Sequence, residues 1–223
     1  MGLKNYWNYF KELSKNVFFD EFKPIDAIVH KNEFDNLGSS GEQYTYRALW
    51  YYFQDNLFRN VYIRKEDGDL TEIDLVAVGN RGIYVFESKN WSGHIYADGD
   101  CDKWLVYCGG KKNYPLSPVK QNEGHIRALQ YHLGKLVPKN RFFSVIIFSA
   151  RCKLSMKNIN DNVTVVKRDW RYNDAIDKAL RGISANSADF LSNADIEKIC
   201  RFLKKAQRPD EEIREEHLRS LEK

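Results

Sequence analysis

The sequence predicts an α/β domain in which a central β-sheet is covered by helices on both faces. Three observations predict it. Two segments, 41–54 and from 118 onward, place apolar residues at helical spacing behind capping residues. Between them lie three short β-rich runs, 61–64, 73–78 and 83–86, separated by turn-forming residues. The last two runs are apolar on both faces, which puts them in the middle of a sheet.

The chain has 223 residues, 43% hydrophobic and 14% aromatic, enough to bury one substantial core. We expect that core over 37–170, preceded by a helical extension over 1–36 and followed by a helical segment, 171–223, packed on or beside it. The extension is aromatic and mixed in charge (Trp7, Tyr9, Phe10, Leu13, Phe18, Phe19) and carries no evident chemistry.

The first core helix opens at Gly38-Ser39-Ser40-Gly41-Glu42, where Ser39 and Glu42 form a capping-box pattern, and Tyr46, Leu49, Trp50 and Phe53 follow at helical spacing. Glu66-Asp67-Gly68-Asp69 and Gly79-Asn80-Arg81-Gly82 then separate three consecutive antiparallel strands. The stretch 91–116 is a Gly- and aromatic-rich excursion with short strands at most. Ser117 and Pro118 start the second helix as cap and first residue, with Ile126, Leu129, Leu133 and Leu136 as its apolar stripe. Runs 142–148 and 163–166 are apolar strands, and helices are expected near 173–181, 193–206 and 210–221.

Net charge is +4, from 35 Lys and Arg against 31 Asp and Glu, so charge alone does not identify a nucleic-acid partner. The cysteines at 101, 108, 152 and 200 form no C-x-x-C pair, which argues against a zinc ribbon. The five histidines, at 30, 94, 125, 132 and 217, form no zinc motif either. Nothing near the N-terminus combines a basic start, an apolar run and a small-residue cleavage site, so reduced thiols and a cytoplasmic location are expected. The longest apolar stretch, Val145-Ile146-Ile147-Phe148, is far shorter than the roughly 20 residues of a membrane span.

The hairpin over 73–89 carries the chemistry. Whether its turn has two residues or four, Val78 faces Ile83 and Gly79 faces Gly82, so the register puts Asp74 opposite Glu87 and Glu72 opposite Lys89. Alternation places Asp74, Val76 and Val78 on one face with Ile83, Val85, Glu87 and Lys89, and Ile73, Leu75, Ala77, Tyr84 and Phe86 on the other. Two opposed, buried carboxylates repel and need a positive charge between them. A divalent cation meets that need, and carboxylate oxygens suit Mg²⁺ or Mn²⁺. Lys89, on the Glu87 face, could orient an attacking water or stabilise a pentavalent phosphate. The competing explanation is an ion-pair cluster in which Lys89 and Glu72 neutralise each other and Arg81 or another cation balances the carboxylates. The strand–turn–strand context and the two-sided burial favour the metal site.

Four stretches also occur together in one order. They are Gly41-Glu42, Glu72-Ile73-Asp74-Leu75-Val76, the run from Gly82 to Gly93 containing Glu87-Ser88-Lys89-Asn90-Trp91, and Pro118-Val119-Lys120-Gln121. In this combination, over 41–121, the chain resembles the nuclease-related (NERD) family of the PD-(D/E)xK superfamily. The resemblance implies a restriction-endonuclease-like αβββαβ core with a central mixed sheet, Asp74 and Glu87 as metal ligands, Lys89 as catalytic lysine, and active-site roles for Glu42 and Gln121. Ser117 stands where the pattern has asparagine, and serine caps equally well. Taken without the resemblance, Glu42 could serve only the capping box, and Gln121, in a stripe with His125, Ala128 and His132, could simply face solvent.

The function expected is metal-dependent hydrolysis of phosphodiester bonds in DNA, RNA being left open, with the Ser88 carbonyl completing the Mg²⁺ or Mn²⁺ coordination. The alternative is a catalytically silent module of the same fold that binds nucleic acid or a protein. Trp91, Lys111 and Lys112 are candidate nucleic-acid contacts, within an aromatic and basic set that includes Lys103, Trp104, Tyr107 and Tyr114. Lys167-Arg168-Asp169-Trp170-Arg171 is a second basic–aromatic cluster, read as a strand end with solvated charges.

Overall fold

The computed structural model describes residues 40–168 and 174–207, with side chains from Thr45 onward. The expected helices over 1–36 and 210–221, the Ser39 cap, the Glu42 side chain and Trp170 and Arg171 lie outside the described residues.

Helix α1 (Ser40–Phe53) leads into strands β1 (Leu57–Arg64), β2 (Leu70–Gly79) and β3 (Gly82–Lys89), which pair antiparallel in sequence order. Three short strands follow, β4 (Gly93–Asp98), β5 (Leu105–Cys108) and β6 (Lys111–Asn113), and then helix α2 (Pro118–Leu133). Strands β7 (Phe142–Phe148), β8 (Cys152–Lys157) and β9 (Val163–Lys167) precede helices α3 (Asp174–Ala185) and α4 (Asn193–Ala206). The main sheet has the order β1-β2-β3-β7-β9, antiparallel on one side of β3 and parallel on the other. With α1 before the three strands and α2 before β7, this mixed α/β fold is the restriction-endonuclease-like core, with β4–β6 inserted after β3.

Both faces of the main sheet are covered. On one, Val76, Val78, Ile83 and Val85 pack under Ala128, Leu129 and Leu133 of α2 and Ile199 and Leu203 of α4. On the other, Leu75, Ala77, Tyr84 and Phe86 pack under Leu49, Trp50 and Phe53 of α1 and Ile176 and Leu180 of α3. This two-sided burial explains why β2 and β3 read as continuous apolar runs. Alpha-2 begins as the sequence predicts: the Ser117 hydroxyl accepts from the Lys120 amide, and Pro118 occupies the first helical position.

Four details differ from the sequence reading. Helix α2 stops at Leu133, where Gly134 closes it, so Leu136 is exposed and Val137 takes the buried place. The stripe below Gln121 faces the sheet: His125 and Ala128 are buried. Strand alternation resets at Asn60 and Asp74. Asn60 has φ 50°, and beyond it Val61 and Ile63 join the cluster of Phe58, so Ile73 packs with Val76 and Val78, not with Leu75. Finally, β8 was not expected. It pairs parallel with β4 in a second sheet of order β6-β5-β4-β8, whose inner residues Ile95, Ala97, Trp104 and Val106 pack on Ile146, Phe148 and Val119.

Candidate functional site

Beta-3 runs between β2 and β7 and delivers Glu87, Ser88 and Lys89 to one end of the main sheet. Its pairing with β2 has the expected register, Val78 with Ile83 and Gly79 with Gly82. That ladder is paired as far as Leu75 with Phe86, one step short of Asp74 and Glu87, while β3 remains paired to β7 as far as Lys89 with Phe148. The parting of β2 and β3 therefore falls at the two carboxylates. Across it the Ser88 amide donates to Asp74 Oδ2 over 3.4 Å, a long bond.

Glu87 is fully buried. Lys89 Nζ lies 2.5 Å from Glu87 Oε1, and His125 Nε2 lies 3.3 Å from Oε2. Close as they are, these contacts are poorly directed, and both Glu87 oxygens and His125 Nε2 are buried without a hydrogen bond. The Lys89 ammonium also donates to Gln121 Oε1 at 3.1 Å and lies 5.9 Å from the centre of the Trp91 ring. His125 Nδ1 is 3.1 Å from the Thr71 hydroxyl, so the imidazole bridges β2 and the buried carboxylate.

Gln121 and His125 reach the same carboxylate cluster because they are four residues apart on α2. The helix is fixed over the sheet by Asn122, whose Nδ2 donates to the Val85 carbonyl and the Ser144 hydroxyl, both at 2.9 Å. From the opposite face, Thr45 Oγ1 sits 3.0 Å from Ser88 Oγ. Glu42 lies three residues before Thr45, in the first turn of α1.

The structure therefore gathers Asp74, Glu87, Ser88, Lys89 and Gln121, and adds His125 and Thr71. His125 was missed although its spacing from Gln121 was visible, because which face of α2 meets the sheet is a tertiary fact. The ion-pair alternative changes its members. Lys89 pairs with Glu87, Glu72 sits opposite Tyr62 of β1, and Arg81 is at the far end of the hairpin, donating to the Ser187 carbonyl at 2.7 Å.

Trp91 is half-buried against Phe148, beside the site. Trp104 is core, with its indole N–H donating to the Asp98 carbonyl, whereas Lys111, Lys112, Tyr107 and Tyr114 are exposed on the second sheet. No helix among the described residues is long and apolar enough to cross a membrane.

A family model described as the nuclease-related domain matches residues 37–149, just over half of the chain. An uncharacterized protein of Bacillus anthracis is 26% identical over 204 residues, covering 89% of this chain and 90% of that protein. No solved structure matches the chain.

Proposed function

Because the chain belongs to the nuclease-related domain family, we propose that it is a metal-dependent nuclease that hydrolyses phosphodiester bonds in DNA at the Asp74–Glu87–Lys89 cluster. The observation that carries this reading is Glu87: a completely buried carboxylate whose two oxygens lack a well-directed hydrogen bond, one step beyond the last paired residues of β2 and β3 and beside Asp74. Burying a charge in that state is unfavourable without a cation, and an oxygen-only donor set fits Mg²⁺ or Mn²⁺. Asp74, Glu87 and the Ser88 carbonyl would hold the ion. When bound it supplies Lewis-acid polarisation and makes water a nucleophile near neutral pH.

The chain's own residues do the rest. Lys89 places an ammonium at the carboxylate edge, where it orients the attacking water or stabilises charge developing on the phosphate. Gln121 accepts from that ammonium and limits its rotation. Thr71 fixes the His125 ring, which lies beside the second Glu87 oxygen on the α2 side. Glu42, at the start of α1, is assigned to the same site by the family resemblance.

A second reading, a silent module that binds nucleic acid, is favoured by one observation. Lys89 already neutralises Glu87 at close range. Incubation of linear, circular and single-stranded DNA with Mg²⁺ or Mn²⁺ separates the two. The nuclease reading expects cleavage that is lost in EDTA, in Asp74→Ala and in Glu87→Gln. Cleavage that persists undiminished in both variants overturns the assignment, and no cleavage of any substrate favours the silent module.

A further inference from the structure

We propose that the outer face of the second sheet is a stacking platform for single-stranded nucleic acid, leading into the Glu87–Lys89 site; it rests on the nuclease reading for its destination. The inner face of this sheet is core, but nothing among the described residues covers the outer one. Its register sets the outward residues side by side: His94 beside Tyr107 and Lys153, Tyr96 beside Leu105 and Ser155, and Tyr107 beside Lys112. Tyr96 is 44% exposed, Tyr107 46% and Tyr114 59%, a concentration of bare aromatic surface that a monomeric protein rarely leaves unused. The rings of His94 and Tyr96 already stack, with centres 4.0 Å apart.

Between Tyr96 and Tyr114 lies an open groove of about 370 Å³ over Leu105, rimmed by Lys103 and by the Asp98–Lys157 ion pair. Its aromatic walls and apolar floor match the π-face of a base. Lys103, Lys111, Lys112 and Lys153 form no ion pair among the described residues, so these cations are available to phosphates, while Lys157 is neutralised by Asp98 at 2.9 Å. Interleaved aromatics and unpaired lysines on a sheet are the composition that holds single strands through base stacking and backbone charge. The same charge disfavours a second copy of the chain as occupant, since two such faces would repel.

The platform also has a direction. Carboxylates of Asp98, Asp100 and Asp102 crowd the turn at one end. The lysine-rich end, with His94, Lys112 and Lys153, is where β4 and β8 begin, directly after Lys89 and Phe148 have ended their ladder in the main sheet. Ser149 stitches that junction, donating from Oγ to the Trp91 carbonyl at 2.6 Å and from its amide to the Lys89 carbonyl at 3.0 Å. A strand lying on the platform, with its phosphates toward the lysines, is thus led past Trp91 to Lys89.

The test is fluorescence anisotropy of a labelled 15-nucleotide oligo-dT and a duplex of equal length, in EDTA so that nothing is cleaved. Wild type should prefer the single strand. Tyr96→Ala combined with Tyr107→Ala should weaken its binding at least tenfold, as should Lys112→Glu combined with Lys153→Glu, with a shallower salt dependence in the lysine variant. Tyr131→Ala, which removes an exposed tyrosine of α2 instead, should bind like wild type. Unchanged binding in both double variants overturns the platform, even if the protein cleaves DNA. Self-association that disappears in the tyrosine variant, without oligonucleotide binding by wild type, also overturns it. Tyrosine-dependent binding without cleavage of any substrate upholds the platform while removing the nuclease reading.

Discussion

Lys89→Met keeps the length of the side chain and removes only its charge, and its effect follows from the geometry around Glu87. At 2.5 Å, in surroundings of effective dielectric constant about 20, the Coulomb attraction is on the order of 7 kcal/mol before desolvation is counted. Removing one partner of a buried pair destabilises by about 3–5 kcal/mol, because the remaining charge keeps its desolvation penalty. The lower end applies here, because the Lys89 side chain is 20% exposed. A loss of about 3 kcal/mol corresponds to a melting temperature roughly 6–12 °C lower for a chain of this size. Scanning fluorimetry in EDTA reads that shift. Millimolar Mn²⁺ should restore more stability to the variant than to wild type, since Lys89 and a cation compete for the same carboxylate. Cleavage by the folded fraction should fall on the order of a hundredfold or more. A variant whose folded fraction cleaves at the wild-type rate would refute the catalytic assignment, and one that melts with wild type in EDTA would refute the electrostatic account.

Three further outcomes follow from individual residues. Calorimetric titration with Mn²⁺ should show at least tenfold weaker binding in Asp74→Ala; equal affinity in the two proteins removes Asp74 from the metal site. Burial raises the Tyr84 phenol from its ordinary 10 to about 12, with Arg81 opposing the shift. Its neutral form therefore stabilises the fold fully below pH 10 and is lost as pH rises toward 12, by up to about 1.4 kcal/mol per unit. Urea unfolding of wild type and Tyr84→Phe from pH 9 to 11.5 should diverge above pH 10, and parallel curves would contradict this. Gly93 has φ 84°, and a Cβ there would stand 2.3 Å from the Tyr107 carbonyl oxygen. Gly93→Ala should lose about 1–3 kcal/mol in thermal unfolding, and a neutral result would mean that β5 moves aside freely.

The core of the fold was legible because it is built from signals that are local and repeated. The Gly79–Gly82 turn fixes the β2–β3 register regardless of its type, and the apolar run of β7 and the helix over 193–206 coincide with their structural limits. Asp74, Glu87 and Lys89 were grouped by that register, whereas Gln121 came from the family resemblance alone, its position by itself reading as solvent-facing. What was not legible depends on partners distant in sequence. Cys152–Lys157 is half polar and becomes a strand because β4 offers it an edge. His125 becomes part of the cluster because Asn122 anchors α2 with that face down. The reset of alternation at Asn60 has no local signature, since a single asparagine within a strand run does not announce a positive φ.

The parallel ladder of β3 with β7 bears on how the protein reaches its folded state. Ile83 meets Phe142, so the chain from 84 to 141, including the whole second-sheet insertion and α2, must be looped out before the first of these pairs forms. Closing such a loop has an entropic cost that grows slowly with length, and long-range parallel pairing is a slow step. The hairpin β2–β3 can form early from neighbours in sequence, bringing Asp74 and Glu87 together while Gln121 and His125 are still unplaced. Two carboxylates thus meet before α2 arrives, with Lys89, only two residues from Glu87, as the one cation of the described cluster that travels with them. Its position so near in sequence gives the nascent hairpin a counter-charge from the moment it forms.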